Sequence, residues 1–149
     1  MYTYTHKVRY YETDKMGITH HSNYVRWMEE ARAEFLERIG CGYAKLEEDR
    51  IVSPVIGVEC QYKRSTTFND EVEITVGIEA FNGVRLVVGY KMHKHSTGDL
   101  VLVGKTTHCF TDVNGKPIVL KKQHPEFDAV LREQINSVLS CNSNDLTRI

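Results

Sequence analysis

One helical stripe stands ahead of a long run of strands, and that order limits the fold more than any other feature. Tyr24, Met28, Ala31, Phe35 and Ile39 recur at spacings of four, three, four and four, which places them on one side of an α-helix. Trp27 and Leu36 flank that stripe, while Glu29, Glu30, Arg32, Glu34, Glu37 and Arg38 fill the other face. Ser22 and Asn23 are good N-cap types, and Gly40 and Gly42 supply a stop. About sixteen residues at 1.5 Å each reach roughly 24 Å, enough to cross a small sheet.

The strands around this helix follow from composition and alternation. Residues 3–11 are rich in Thr, Tyr and Val and predict a first strand. After a polar loop, Glu47 to Arg50, the run Pro54 to Tyr62 predicts a second. Val72, Ile74, Val76 and Ile78 alternate with Glu71, Glu73, Thr75 and Gly77, as a half-buried strand requires. Asn82-Gly83 signals a hairpin into a strand from Val84 to His93. Ser96-Thr97-Gly98-Asp99 turns the chain into a strand from Leu100 to Thr111, and Asn114-Gly115 ends the meander. Pro125 opens a second helix carrying Phe127, Val130, Leu131, Ile135 and Val138. Short turns make consecutive strands antiparallel neighbours. The class is therefore α+β, with the sheet packed over the first helix.

Length and charge bound the rest. The 149 residues suit one domain, taken as 1–139 with a polar tail over 140–149. With 19 Lys+Arg against 20 Asp+Glu, the formal charge of −1 argues against a generally basic nucleic-acid binder. Cys41, Cys60, Cys109 and Cys141 form no CxxC pair, so zinc or dithiol chemistry is not indicated and a reducing compartment is expected. No signal-peptide core and no run of about 18 apolar residues is present. A cytoplasmic location without a membrane span is the expectation.

Chemistry is concentrated between the first strand and the helix. Tyr10 to Tyr24 contains Asp14, Gly17, His20 and His21 immediately before a helix N-terminus. Unsatisfied N–H groups and the helix dipole there suit an oxyanion. A nearby aspartate could attack a polarised carbon or take a proton from water. The same residues also suit a turn, with Thr13 and Asp14 forming it and the two histidines exposed.

The pattern Tyr11-x-x-Asp14-x-x-Gly17-x-x-x-His21-x-Asn23-Tyr24, running into Trp27-x-Glu29-x-Ala31-Arg32-x-Glu34-x-Leu36, resembles the opening motif of hot-dog-fold acyl-CoA thioesterases. The likeness is to the branch holding 4-hydroxybenzoyl-CoA thioesterase and the Tol-Pal-associated short-chain enzymes. Pro54, Phe68-Asn69-Asp70 and Thr107-x-x-Phe110-x-Asp112 extend it over roughly residues 5–120. It implies a hot-dog fold: a curved antiparallel sheet wrapped around one long central helix, here with a short C-terminal helix. It further implies acyl-CoA as substrate, no cofactor, and a homodimer or homotetramer with active sites between subunits. Asp14 takes the place of the family's nucleophile or general base, and His21 that of its backbone oxyanion donor. Gly17 would let the loop pass close to the acyl group. Tyr24 joins the substrate-binding candidates from the same motif. Lys63, Arg64 and Arg85 are candidates for the CoA phosphates. Other readings of the same fold are a dehydratase or hydratase, and a non-catalytic module binding acyl-CoA or acyl-carrier protein.

Two further features carry little. His93 and His95 alternate on one strand without a third metal-type ligand at a characteristic spacing. Cys109 reads as a small buried hydrophobe with no activating partner.

Overall fold

The structure is a computed structural model that describes residues 1–142, with side chains through residue 135. Five strands, β1 (Tyr2–Lys7), β2 (Val55–Tyr62), β3 (Glu71–Phe81), β4 (Leu86–Lys94) and β5 (Leu100–His108), form one antiparallel sheet in the order β1-β3-β4-β5-β2. The helices are α1 (Ser22–Arg38), α2 (Tyr43–Glu48), α3 (Leu120–Gln123) and α4 (Pro125–Asn142).

The central helix lies where its stripe predicts. Tyr24, Trp27, Met28, Ala31 and Phe35 are buried against Val72, Ile74, Val76 and Ile78 of β3 and Val88, Tyr90 and Met92 of β4. Each large apolar side chain so buried contributes roughly 1.5–3 kcal/mol. Gly104 permits the closest approach of α1 to β5: a Cβ there would sit 3.2 Å from Met28 Cε and 3.0 Å from the Glu59 carbonyl oxygen. A bulge between Ile78 and Ala80 bends β3 and turns Phe81 inward onto Phe110, ring centroids 6.1 Å apart. The sheet thus wraps its helix in the hot-dog arrangement.

Several expectations need correction. The first strand stops at Lys7, because Val8 N–H donates to Asp70 and the chain then turns through a 3₁₀ segment, Tyr10–Glu12. Part of the expected polar loop is α2, whose single buried apolar residue, Leu46, is too little to give a period. The third hairpin strand begins at Leu86, since Asn82 Oδ1 accepts from both Val84 N and Arg85 N and holds those residues in the turn. The last strand ends at His108, with Thr111 continuing only as isolated bridges to Val52 and Pro117.

The C-terminal helix is not short. It has 18 residues and crosses the boundary drawn after residue 139. Its Phe127 and Leu131 meet Leu36, Cys41 and Leu46 around a narrow apolar gap. The expected tail beyond Asn142 lies outside the described residues. Arg32, assigned to the solvent face, is buried at 6% exposure; Nε donates to Tyr43 Oη at 2.7 Å and Nη1 to Tyr90 Oη at 3.0 Å. Cys109 is half-buried.

Candidate active site

The segment joining β1 to α1 is a tight loop closed by a bridge between Thr13 and Thr19. Asp14 N–H donates to Ile18 O at 2.8 Å, and Gly17 N–H donates back to Asp14 O at 3.0 Å. Asp14 Oδ1 accepts from Met16 N–H at 2.8 Å, the side-chain-to-backbone contact that aspartate makes in turns. Gly17 has φ +79° with nothing within 4 Å of a Cβ. Its left-handed backbone, not crowding, is what selects glycine there. Asp14 is half-buried and lines an open groove of about 870 Å³ with Tyr10, Tyr11, His20 and Arg26.

Helix α1 begins at Ser22, one residue earlier than a Ser22 cap would give and two earlier than an Asn23 cap. His21 is the N-cap, with helical angles of φ −57° and ψ −26°, and makes no side-chain cap bond. The donors behind it are spoken for: Ser22 N–H reaches His20 Nδ1 at 3.2 Å, Asn23 N–H reaches His20 O at 3.0 Å, and Tyr24 N–H reaches His21 O at 3.3 Å. The His21 N–H makes no hydrogen bond among the described residues. A helix entrance with one open donor can hold a negative oxygen. The His21 imidazole is exposed, stacks on His20 at 4.4 Å and meets the edge of Tyr62 at 6.3 Å.

The other candidates divide by position. Tyr24 is 4% exposed, its hydroxyl 3.1 Å from Thr66 Oγ1, which in turn lies 2.6 Å from Thr19 Oγ1. Lys63 and Arg64 are exposed just past β2, at the Tyr62 end nearest His21, with their backbone N–H groups donating to Val101 O. Arg85 lies in the hairpin at the far end of β3, about 30 Å of strand from the Glu71 end. Within one chain the fold does not bring Arg85 to Asp14. His95 is engaged by Glu73 at 2.6 Å.

Sequence reasoning passed over two contributors. Glu12 is 4% exposed beneath the loop, and the only available signal was a carboxylate two residues before Asp14. Burial alone would raise its carboxyl, but hydrogen bonds from Arg9 N–H, His6 and Trp27 outweigh that and hold it below the usual range. The second is the inner face of β2. Val58, Cys60 and Tyr62 share one face, Cys60 Sγ is 3.8 Å from Met28 Sδ, and Val58 and Tyr62 remain about half exposed at 46% and 51%.

Residues 8–135 match the model of the thioesterase-like superfamily. The chain is 33% identical over 122 residues to YneP of Bacillus subtilis, named as a candidate acyl-CoA thioesterase, covering 81% of this chain and 88% of that one. A solved structure from Aquifex aeolicus superposes with a TM-score of 0.80 at 33% identity, over 88% of this chain and 99% of its own. A DHNA-CoA thioesterase from Staphylococcus aureus superposes with a TM-score of 0.82 at 28% identity, over 99% and 95%.

Proposed function

The chain belongs to the thioesterase-like superfamily, and from that membership we propose that it hydrolyses an acyl-CoA thioester to the free acid and CoA. The observation that carries the reading is the pairing, on one short loop, of a half-buried carboxylate with an uncommitted helix-entrance N–H. A thioester carbonyl is electrophilic and its thiolate leaves readily, so little acid assistance is needed. In this reading Asp14 attacks the carbonyl carbon, or takes a proton from the water that does. The His21 N–H stabilises the oxygen as it becomes negative. The C–S bond breaks and CoA leaves as thiolate. Where water attacks, its oxygen enters the acid directly; where Asp14 attacks, the resulting Asp14–acyl anhydride is cleaved by water at its C–O bond, releasing the acid and restoring the Asp14 carboxylate. Only water is consumed.

Val58, Cys60 and Tyr62 offer an apolar wall for the acyl group, and Lys63 and Arg64 stand ready for the CoA phosphates. The His21 imidazole favours the Tol-Pal-associated type of the family over a hydroxybenzoyl specialist. The test is thiol release across a panel of short, branched and aromatic acyl-CoA substrates. At least one should turn over well above background. Tight binding with no thiol release from any of them would support a binding module instead.

We also assign the working unit to two or more copies. Strand β2 is a sheet edge carrying Val55, Ile56, Val58 and Tyr62, each 45–51% exposed. Proteins commonly charge or cover such edges, and a second copy would cover this one. Arg85 could reach the site only from that second copy. Sedimentation equilibrium should return two or four times the 17.2 kDa chain mass. A 17.2 kDa species at micromolar concentration would overturn the assignment. Among the described residues no helix is long and apolar enough to cross a membrane. The four scattered cysteines fit a reducing compartment, and on that ground we place the enzyme in the cytoplasm.

A further inference from the structure

We propose that Glu12 is a positioning residue for the hydrolysis, locking the Asp14 turn to the entrance of α1. The inference rests on the reading of Asp14 and His21 given above, and it concerns what fixes their mutual geometry. Both ends of the loop converge on this one residue. The Glu12 carbonyl oxygen accepts from His20 N–H at 2.8 Å and from Asn23 Nδ2 at 2.9 Å. That closes the loop between Glu12 and His20, with Asp14 two residues inside one end and His21 one residue beyond the other.

The side chain anchors the closed loop to the core. Oε1 accepts from Arg9 N–H at 2.8 Å and His6 Nε2 at 2.8 Å, while Oε2 accepts from Trp27 Nε1 at 2.6 Å. Trp27 is fully buried on the second turn of α1, and His6 lies against it with ring centroids 4.5 Å apart. Strand β1, the 3₁₀ segment and α1 therefore meet at one carboxylate. All three side-chain contacts are donors, so both oxygens must accept. A carboxamide of the same shape cannot satisfy them. Its NH₂ would face the Trp27 N–H in one orientation and the Arg9 N–H in the other. A buried donor–donor conflict is relieved only by moving one of the partners, and each partner belongs to a segment that sets Asp14 or the helix entrance. A shift of about 1 Å in a catalytic group can cost on the order of 100-fold in rate.

Glu12→Gln tests this, with kinetics run well below the variant's own Tm so that only folded protein is counted. We expect kcat to fall on the order of 10- to 100-fold while KM changes about twofold or less. The protein has a single tryptophan, so its emission reports the Oε2 contact directly and should shift in the variant. Combined with Asp14→Asn, Glu12→Gln should cost less than it does alone, because the part of its effect that acts through Asp14 is already lost and only the part through the helix entrance remains. Glu12→Asp keeps the charge but withdraws it by one methylene, and it should give an intermediate kcat even where the amide variant fails to fold. Wild-type kcat in the folded variants, with a lowered Tm and shifted emission, would mark Glu12 as structural and overturn the inference. Absence of thiol release from the wild-type protein would overturn the hydrolase reading and this inference together. The two failures are distinguished by the wild-type assay alone.

Discussion

Asp14→Asn is expected to reduce turnover of the best acyl-CoA substrate by roughly 10³-fold or more, with the fold and oligomer intact. General-base catalysis by a positioned side chain contributes typically about 10²–10⁴-fold, and loss of a covalent nucleophile costs at least as much. The substitution is well suited to the site. Among the described residues the hydrogen bond of the Asp14 side chain is Oδ1 accepting from Met16 N–H, and an asparagine carbonyl oxygen can accept the same bond. The turn around Gly17 therefore survives while the nucleophilic or basic oxygen is lost. Far-ultraviolet circular dichroism and sedimentation should match the wild type. Near-wild-type turnover would remove Asp14 from the mechanism. If activity is lost as expected, single-turnover hydrolysis in heavy-oxygen water distinguishes the two roles. Label recovered in Asp14 marks direct attack.

The framework was legible because its signals are local. The Tyr24 to Ile39 stripe and the Val72 to Ile78 alternation each fix an element and its buried face. Asn82-Gly83 fixes the hairpin between β3 and β4. What was not legible depends on contacts distant in sequence. The pairing of β2 with β5, which leaves β2 as an edge, joins Val55 to His108 and Tyr62 to Leu102, and no local pattern encodes it. Arg32 and Glu12 were illegible for a different reason. A charge between apolar positions reads as solvent-facing until its partners are known, and here those partners are the Tyr43 and Tyr90 hydroxyls in one case and the Trp27 indole in the other. The candidate site divides the same way. Asp14, Gly17 and His21 were visible because they lie within eight residues of one another. The distance of Arg85 from them is a property of strand direction and sheet order.

The buried polar chain that begins at Arg32 makes stability fall with acid between about pH 6.5 and 4. Arg32 can only donate, so the Tyr90 oxygen accepts its bond. The Tyr90 hydroxyl then donates to Thr106 Oγ1 at 2.8 Å, and Thr106 donates to His108 Nε2 at 2.8 Å. This direction ends on an acceptor, which only neutral imidazole supplies. Burial first, and then the Arg32 charge, push His108 down from 6.5 to about 4. Because the unfolded chain binds this proton more readily, the contribution is complete above pH 6.5 and is lost as pH falls toward 4. A shift of that size corresponds to about 3 kcal/mol, a substantial part of the roughly 5–15 kcal/mol typical of a domain. Glu12, held below the usual carboxylate range, contributes stability that fails only at lower pH. His95, raised by its bond to Glu73, acts with the opposite sign, its contribution lost as pH rises. Urea unfolding between pH 7.5 and 4.5 should therefore show most of the loss, and His108→Gln, which can accept from Thr106 without titrating, should flatten it. An unchanged slope in that variant would place the acid sensitivity elsewhere, and would mean that protonated His108 is accommodated despite the donor facing it.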